Sequence, residues 1–230
     1  MKNTHARITT VALGLLLLVT SHLALAGKPL PTSSHAFGEG YPELTADWLE
    51  WVLSIPGTVN PLNDPDGSDA AVGQSGKVWF LVGNTTGGST TRTVSIPAGK
   101  AVFFPIVNFF WVNTPEFGDP EWSPAQEAVA RATIGAVVDT AQNLLLQIDG
   151  ETIASVGNLR VRGDVGSCTI PDDNVFGFPF APGAHPCVAD GYWALLPPLS
   201  AGAHAIRFAG GFAATGFALD VTYHVTARNH

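Results

Sequence analysis

The stretch FALDVTYHVTA, residues 217 to 227, alternates apolar and polar side chains. Val221, Tyr223 and Val225 fall on one side of an extended chain, and the polar residues between them fall on the other side. A two-residue period of this kind predicts a β-strand with one buried face and one solvent face. The stretch therefore indicates a half-buried antiparallel sheet.

Further β-rich runs precede this stretch. YWALL and HAIRF lead into it, and NLLLQI and ETIASV flank Asp149-Gly150, a pair typical of a tight hairpin turn. KVWFLVGN and TTRTVSIP, joined by the glycine-rich TTGGS, are predicted to pair as another hairpin. AVFFPIVNFFWVN is expected to be a buried strand that is broken near Pro105.

Two segments have helical spacing instead. SPAQEAVARATIGAVVDTAQ begins with Ser123 at a cap position and is predicted to be the one long helix. PELTADWLEWVLSIP is predicted to be a short helix capped by Thr45, with Trp48 on its apolar face. Together these patterns predict a mainly β fold, an antiparallel β-sandwich of jelly-roll type with one long helix and one short N-terminal helix. The alternative is a barrel with the helix plugging one end.

The first residues resemble an export signal. Lys2 and Arg7 precede the apolar run VALGLLLLV, and Ala24-Leu25-Ala26 matches a cleavage pattern. We therefore expect a signal peptide over residues 1–26, a leader arm over residues 27–42 and a single domain over residues 43–230. The expected location is secreted or periplasmic. The apolar run is shorter than the roughly 20 residues that a membrane span needs, so no span is expected in the mature chain.

The net negative charge of the chain argues against one class of partner, nucleic acid. The chain has a net charge of -8, and removal of Lys2 and Arg7 leaves 9 basic residues against 19 acidic ones, a net charge of -10. Nucleic-acid binding depends on clustered Lys and Arg, so nucleic acid is not an expected partner. Cys168 and Cys187 are the only cysteines, and in an oxidising compartment two such thiols usually pair. A disulfide between them is therefore predicted.

Candidate site residues lie mainly in two loops. HPCVADGYW, residues 185 to 193, contains His185 and also Asp190, which is predicted to start a turn with Gly191. Asp172 and Asp173 precede a phenylalanine-rich loop, and a metal site from His185, Asp190 and either Asp172 or Asp173 is one interpretation. Trp111, Glu116 and Trp122 form a second group in which acids beside rings suit sugar binding. In both loops the alternative is a solvated or packed loop without a ligand.

A third group, Asn63, Asp64, Asp66 and Asp69, surrounds Gly67 in a turn-rich loop. The spacing does not match an EF-hand, because Leu62 and Gly73 stand where that pattern needs acids. A calcium site of another type, with Asp64, Asp66 and Asp69 as ligands, is one interpretation. An ordinary turn is the other, because turns use the same residues. No other cofactor is expected.

The C-terminal stretch GYWALLPPLSAGAHAIRFAG resembles a recurrent ending of exported bacterial proteins that have no characterised activity. GQSGKVWFLVGN, SIPAGKAVFFPIVN and the Trp48–Trp51 helix are similar to the N-terminal half of the same group. The resemblance covers most of the mature chain. It implies a β-sandwich and export, and it implies no reaction.

Two functional hypotheses follow. The first is a secreted, non-catalytic module that binds a glycan or another extracellular ligand through loop aromatics and acids. The second is an exported hydrolase or lyase that uses loop carboxylates or a bound metal. The sequence contains no G-x-S-x-G elbow and no H-E-x-x-H pair, which favours the binding module.

Overall fold

The computed structural model describes residues 27–181 and 183–229, so the predicted signal peptide lies outside the described residues. Within these residues the chain is mainly β and has two α-helices, α1 (Tyr41–Ser54) and α2 (Pro124–Val138). The strands are β1 (Val78–Phe80), β2 (Gly88–Pro97), β3 (Ala101–Val112), β4 (Ala141–Ile148), β5 (Glu151–Thr152), β6 (Arg160–Arg162), β7 (Gly166–Thr169), β8 (Ala184–Leu196), β9 (Gly202–Phe212) and β10 (Phe217–Arg228). Neither helix in the described part of the chain is long and apolar enough to cross a membrane.

The strands form two mixed sheets. The first has the order β1-β3-β8-β6, with β7 also paired to β8, and the second has the order β2-β10-β9-β4-β5. β1 runs parallel to β3 and β2 runs parallel to β10, whereas the remaining pairs are antiparallel. The predicted mainly β class is therefore confirmed. The prediction that the sheets are purely antiparallel is wrong, because each sheet contains one parallel pair. The described strands do not close into a barrel, and jelly-roll connectivity is not confirmed.

The hairpin predicted between KVWFLVGN and TTRTVSIP is wrong. β1 lies in the first sheet and β2 in the second, because the chain crosses between the sheets after Phe80. Asn84 builds this crossing: its Oδ1 accepts from Gly87 N at 2.9 Å and its Nδ2 donates to Thr90 Oγ1 at 2.9 Å. The chain returns to the first sheet as β3. A parallel pair needs such a crossover, and here β2 supplies it.

The main core lies between the two sheets. Phe104 of β3 stacks on Phe208 of β9 with ring centroids 5.0 Å apart. Val221, Tyr223 and Val225 of β10 are buried in the same core, as their alternation predicts. The stretch that predicted a half-buried strand thus forms the middle of the second sheet, where one face contacts the core.

α1 covers the opposite face of the first sheet. Trp48 packs edge-on against Trp193 of β8 with centroids 5.3 Å apart, and its Nε1 donates to Leu81 O at 2.8 Å. The prediction that Thr45 caps this helix is wrong. The helix begins at Tyr41, Gly40 N donates to the Glu43 carboxylate at 3.1 Å, and the Thr45 hydroxyl donates within the helix to Tyr41 O at 2.8 Å.

α2 is the predicted long helix, and Ser123 caps it by accepting a hydrogen bond from Gln126 N at 3.2 Å. It packs against β3 and β8 through a cluster that contains Ala130 and Ile134. β3 is continuous from Ala101 to Val112, so the predicted break near Pro105 is wrong; the chain instead has a bulge, where the pairing with β8 shifts register between Pro105 and Val107. A bulge bends a strand, and the two halves of β3 pack against different elements. The first half contacts the second sheet, and the second half contacts α2.

HPCVADGYW lies entirely within β8, so the turn predicted at Asp190-Gly191 is wrong. Both residues pair with β3 in mid-strand. A Cβ at Gly191 would lie 2.6 Å from Val107 O and 2.7 Å from Asn108 Cα. Glycine is therefore present because the bulged strand approaches closely, and not because the chain turns.

Candidate functional site

An open cleft of about 430 Å³ lies between the loop that follows β3 and the phenylalanine-rich loop that precedes β8. We call it the aromatic cleft. Its walls are Phe110, Val112, Thr114 and Phe117 on one side and Phe176, Phe178 and Phe180 on the other.

The rings of the aromatic cleft form a continuous series. Phe110 contacts Phe176 with centroids 5.9 Å apart, and Phe176 contacts Phe180 at 5.8 Å. Phe180 in turn contacts Phe117 at 5.8 Å. Phe117 and Phe178 are 56% and 61% exposed. The two exposed rings belong to one contiguous aromatic surface, and contiguous exposed apolar surface of this kind is typical of interaction sites.

His185 and Glu116 join the two walls. The His185 ring lies between two carbonyls, with Nδ1 3.0 Å from Asn113 O and Nε2 3.0 Å from Ala181 O. Glu116 Oε1 accepts from Ala181 N at 2.9 Å, and this hydrogen bond lowers the pKa of Glu116. The neutral imidazole has one N–H and can donate to one carbonyl only, whereas the imidazolium donates to both. His185 therefore acts as a tie between loops.

The phenylalanine-rich loop is also held at its start. Asn174 donates to Phe178 O at 2.7 Å and accepts from Phe176 N at 3.0 Å, which fixes the turn that carries the rings. Asp173 accepts from the Thr58 hydroxyl at 2.9 Å. The predicted Cys168–Cys187 disulfide is present and joins β7 to β8 at the base of the loop. The cleft is therefore built on fixed segments.

The two chain segments that carry the walls of the aromatic cleft contain acidic residues and no basic ones. The loop from residue 112 to 123 carries Glu116, Asp119 and Glu121, and the segment from residue 163 to 183 carries Asp164, Asp172 and Asp173. Neither segment contains Lys or Arg. Like charges repel, so an anionic ligand is disfavoured there.

The predicted site residues separate into two places. Glu116 and His185 join the cleft walls, and Asp172 and Asp173 lie in the loop that carries its rings. Trp111 and Trp122 pack instead against α2, in the cluster with Ala130 and Ile134. Trp111 follows Phe110 on β3, and successive residues of a strand point to opposite faces. The two tryptophans are therefore not part of the cleft.

Asp190 lies under α2 as well, where it is 2% exposed. Arg160 of β6 binds it through two hydrogen bonds of 2.9 and 3.0 Å and also contacts Asp139 at the end of α2 at 2.5 Å. The hydrogen bonds that Arg160 donates to Asp190 raise the pKa of Arg160. Asp190 is thus a partner of arginine in the packing of β6, β8 and α2, and it lies apart from the His185 tie.

The loop predicted to bind calcium is organised by Asp64. Its carboxylate accepts from Asp66 N at 3.1 Å, Gly67 N at 2.9 Å and Asp69 N at 2.9 Å, and these backbone hydrogen bonds offset burial to lower the pKa of Asp64. These three backbone hydrogen bonds hold the loop in the way that an ordinary turn built on an aspartate does. Among the described residues, no group of three or more His, Cys, Asp or Glu could hold a metal ion. Calcium binding stays a prediction.

A Ser–His–Asp grouping that the sequence did not reveal lies at the turn before β9. His204 Nδ1 is 2.8 Å from the Asp149 carboxylate and Nε2 is 2.8 Å from Ser200 O, while the Ser200 hydroxyl is 3.4 Å from Nε2. A nucleophilic serine needs Nε2 as the acceptor of its hydroxyl, but here the nearer neighbour of Nε2 is the Ser200 carbonyl, at 2.8 Å against 3.4 Å for the hydroxyl. The grouping therefore locks the turn onto the Asp149-Gly150 hairpin, whose φ angles of 51° and 83° confirm the predicted turn.

The sequence missed the first wall of the aromatic cleft. Phe117 was not singled out because one phenylalanine in an acidic loop has no periodicity to mark it. Glu116 beside it was the available signal. The second wall was visible as Phe176, Phe178 and Phe180 at alternate positions, although packing of these rings onto the sheet was an equal interpretation.

No family model matches the chain, and no curated protein matches it. Among solved structures, PbICP-C in complex with falcipain-2 shares 15% identity, covers 66% of this chain and 100% of its own, and has a TM-score of 0.25. The solution structure of Amebosin shares 12% identity, covers 63% of this chain and 100% of its own, and has a TM-score of 0.19. Likenesses this weak carry no argument about this chain.

Proposed function

We propose that this protein is a non-catalytic binding module and that its ligand occupies the aromatic cleft. The observation that carries the proposal is the pair of exposed rings, Phe117 and Phe178, at the rim of a series of phenylalanines. The hydrogen bonds through His185 and Glu116 support it, because a site with fixed walls loses little conformational entropy on binding.

The ligand we propose is a neutral or amino-substituted glycan. Aromatic rings provide flat apolar surface for the C–H faces of sugar rings, and carboxylates accept hydrogen bonds from hydroxyl and amino groups. The six acids of the two loops and the absence of Lys and Arg from both argue against sulfated or uronic-acid chains.

We also propose that the protein is exported and works in the periplasm or outside the cell, as a member of the exported β-sandwich group that its C-terminal stretch resembles. The Cys168–Cys187 disulfide supports this location, because such bonds persist in oxidising compartments. Fractionation of the native host, with a disulfide-trapping step before lysis, tests it. Recovery of the protein in the cytoplasm with free thiols would contradict it.

A glycan array followed by calorimetry tests the binding function. Burying one phenylalanine ring is worth about 1.5–3 kcal/mol, so Phe117→Ala or Phe178→Ala should weaken binding roughly 10- to 100-fold. The matched control is Val129→Ala, because Val129 is a 53% exposed apolar residue on α2. Its binding should equal that of the wild type.

Three outcomes would overturn the proposal. The first is the absence of any glycan bound by the folded protein, and the second is binding that neither phenylalanine substitution weakens. The third is release of a cleaved product from the bound glycan, which would replace the binding module by a hydrolase or lyase.

A further inference from the structure

A second depression lies beside the free edge of β3. β1 pairs only with Ala101–Phe103, and one further hydrogen bond runs from Leu81 N to Phe103 O at 3.0 Å. Beyond Phe103, no strand within the described residues pairs with this edge of β3. A half-enclosed cavity of about 440 Å³ lies against the unpaired edge, and we call it the edge cavity.

Rings from four separate parts of the chain surround the edge cavity. α1 supplies Trp48, β3 supplies Phe109 and Phe110, and the phenylalanine-rich loop supplies Phe176. The other side consists of Phe212 and Phe217, which flank the turn between β9 and β10. The cavity is thus closed by the end of the second sheet on one side and by α1 on the other.

The edge cavity differs from the aromatic cleft in charge. No Asp, Glu, Lys, Arg or His is among the described residues that line it. The polar residues that line it are Asn84, Thr85, Asn108 and Thr215, all neutral. A charged ligand would lose its hydration there and gain no counter-ion, which is a large penalty. The absence of charge therefore selects a neutral ligand.

The size and shape of the edge cavity also indicate a site for a small molecule. Cavities of about 300–1,000 Å³ with mostly apolar walls and few polar groups are typical of sites for small molecules. The edge cavity falls within this range and is half enclosed, so it can remove most of a small ligand from water. We propose that the edge cavity is a second binding site, independent of the proposed glycan site, for a neutral and predominantly hydrocarbon or aromatic small molecule.

The two sites share Phe110 and Phe176, so a test must use residues that belong to one site only. Thr85 is exposed and lines the edge cavity, and Thr86 beside it is exposed and does not. A Thr85→Trp variant places an indole at the mouth of the cavity. Thr86→Trp is the matched control, with the same substitution one residue away.

The probe is N-phenyl-1-naphthylamine, a neutral aromatic amine whose fluorescence rises in apolar surroundings. We expect saturable binding of one probe per chain, at least tenfold weaker in Thr85→Trp and unchanged in Thr86→Trp and Phe178→Ala. The anionic analogue 8-anilino-1-naphthalenesulfonate should bind at least tenfold more weakly than the neutral probe. Retention of glycan binding by Thr85→Trp would separate the two sites.

Several results would overturn the second site. Wild-type protein that shows no saturable binding would do so, as would equal loss of affinity in the two tryptophan variants. Equal affinity for the neutral and the anionic probe would overturn the neutral ligand. If the number of probe sites per chain falls as the protein concentration is raised, the cavity belongs to an interface with a second copy, and a small-molecule site is excluded.

Discussion

Reduction of the Cys168–Cys187 disulfide should destabilise the fold by an amount that the loop length sets. The cysteines are 19 residues apart, so the bond closes a loop of about 20 residues. In the chain-entropy model such a loop restricts the unfolded chain by about 11 cal/mol/K, which is about 3.3 kcal/mol at 25 °C. For a domain of roughly 200 residues this corresponds to a decrease in Tm of about 7–13 °C.

The assay is equilibrium unfolding in urea, with and without dithiothreitol. Both sulfur atoms belong to fully buried residues, so the reductant must be equilibrated with the protein under unfolding conditions before refolding is measured. The free energy of unfolding should fall by about 3.3 kcal/mol. The control is the double variant Cys168→Ala/Cys187→Ala, whose stability should not respond to dithiothreitol.

A decrease below about 1 kcal/mol in the reduced wild type would refute this reasoning. It would mean that the reduced, unfolded chain keeps residual structure that already restricts the loop. Reduction should also weaken binding at the aromatic cleft, because the disulfide joins β7 to β8 at the base of the loop that carries its second wall.

Three further substitutions test the fold. In urea unfolding, Gly191→Ala should lower the free energy of unfolding by about 3 kcal/mol, because the added Cβ would lie 2.6 Å from Val107 O. The control Gly157→Ala has open space around its Cβ and should leave the free energy of unfolding unchanged. Arg92→Met should lower the free energy of unfolding by about 3 kcal/mol or more, because buried Arg92 donates to the carbonyls of Asp64, Val82 and Gly83, and only Val82 O keeps a second donor within the described part of the chain, the Tyr223 hydroxyl. A loss under about 1 kcal/mol in urea unfolding would contradict this. Partial burial of its carboxylate, reinforced by neighbouring glutamates, raises the pKa of Asp47 to about 6, although the residue as a whole is exposed. The folded state therefore binds more protons than the unfolded state between about pH 4 and 6. The free energy of unfolding is therefore highest below about pH 4 with respect to this group and falls as the pH rises to about 6. Asp47→Asn should raise the Tm at pH 7 and leave it unchanged at pH 4, and an equal effect at both pH values would refute the shift.

The sequence predicted those elements whose evidence is local. The alternation of β10, the cap at Ser123 and the Asp149-Gly150 turn each depend on a few neighbouring residues, and each is present. Strand partners are not local. β1 and β2 had the composition of a hairpin, but the sheets are decided by contacts with β3 and β10, which lie elsewhere in the sequence.

Asp190-Gly191 illustrates the same limit at the candidate site. In isolation the pair is typical of a turn, and Asp190 close to His185 suggested a shared site. In the fold Gly191 faces a bulge, and Asp190 points to the side where Arg160 neutralises it. The glycine and the carboxylate each have a partner far away in sequence, so no reading of their neighbours could have identified it.

Three sets of contacts hold the walls of the aromatic cleft in place. The disulfide fixes the base of the phenylalanine-rich loop, Asn174 fixes its turn, and His185 joins it to the opposite wall. Loops usually pack their apolar side chains onto the nearest core, because exposed rings gain nothing from water. Here the ties hold Phe117 and Phe178 outside the core at a stability cost that packing does not repay. The proposed function supplies a gain that would offset this cost, namely contact with a ligand, and for this reason it is assigned to the two exposed rings rather than to the reactive-looking groups of HPCVADGYW.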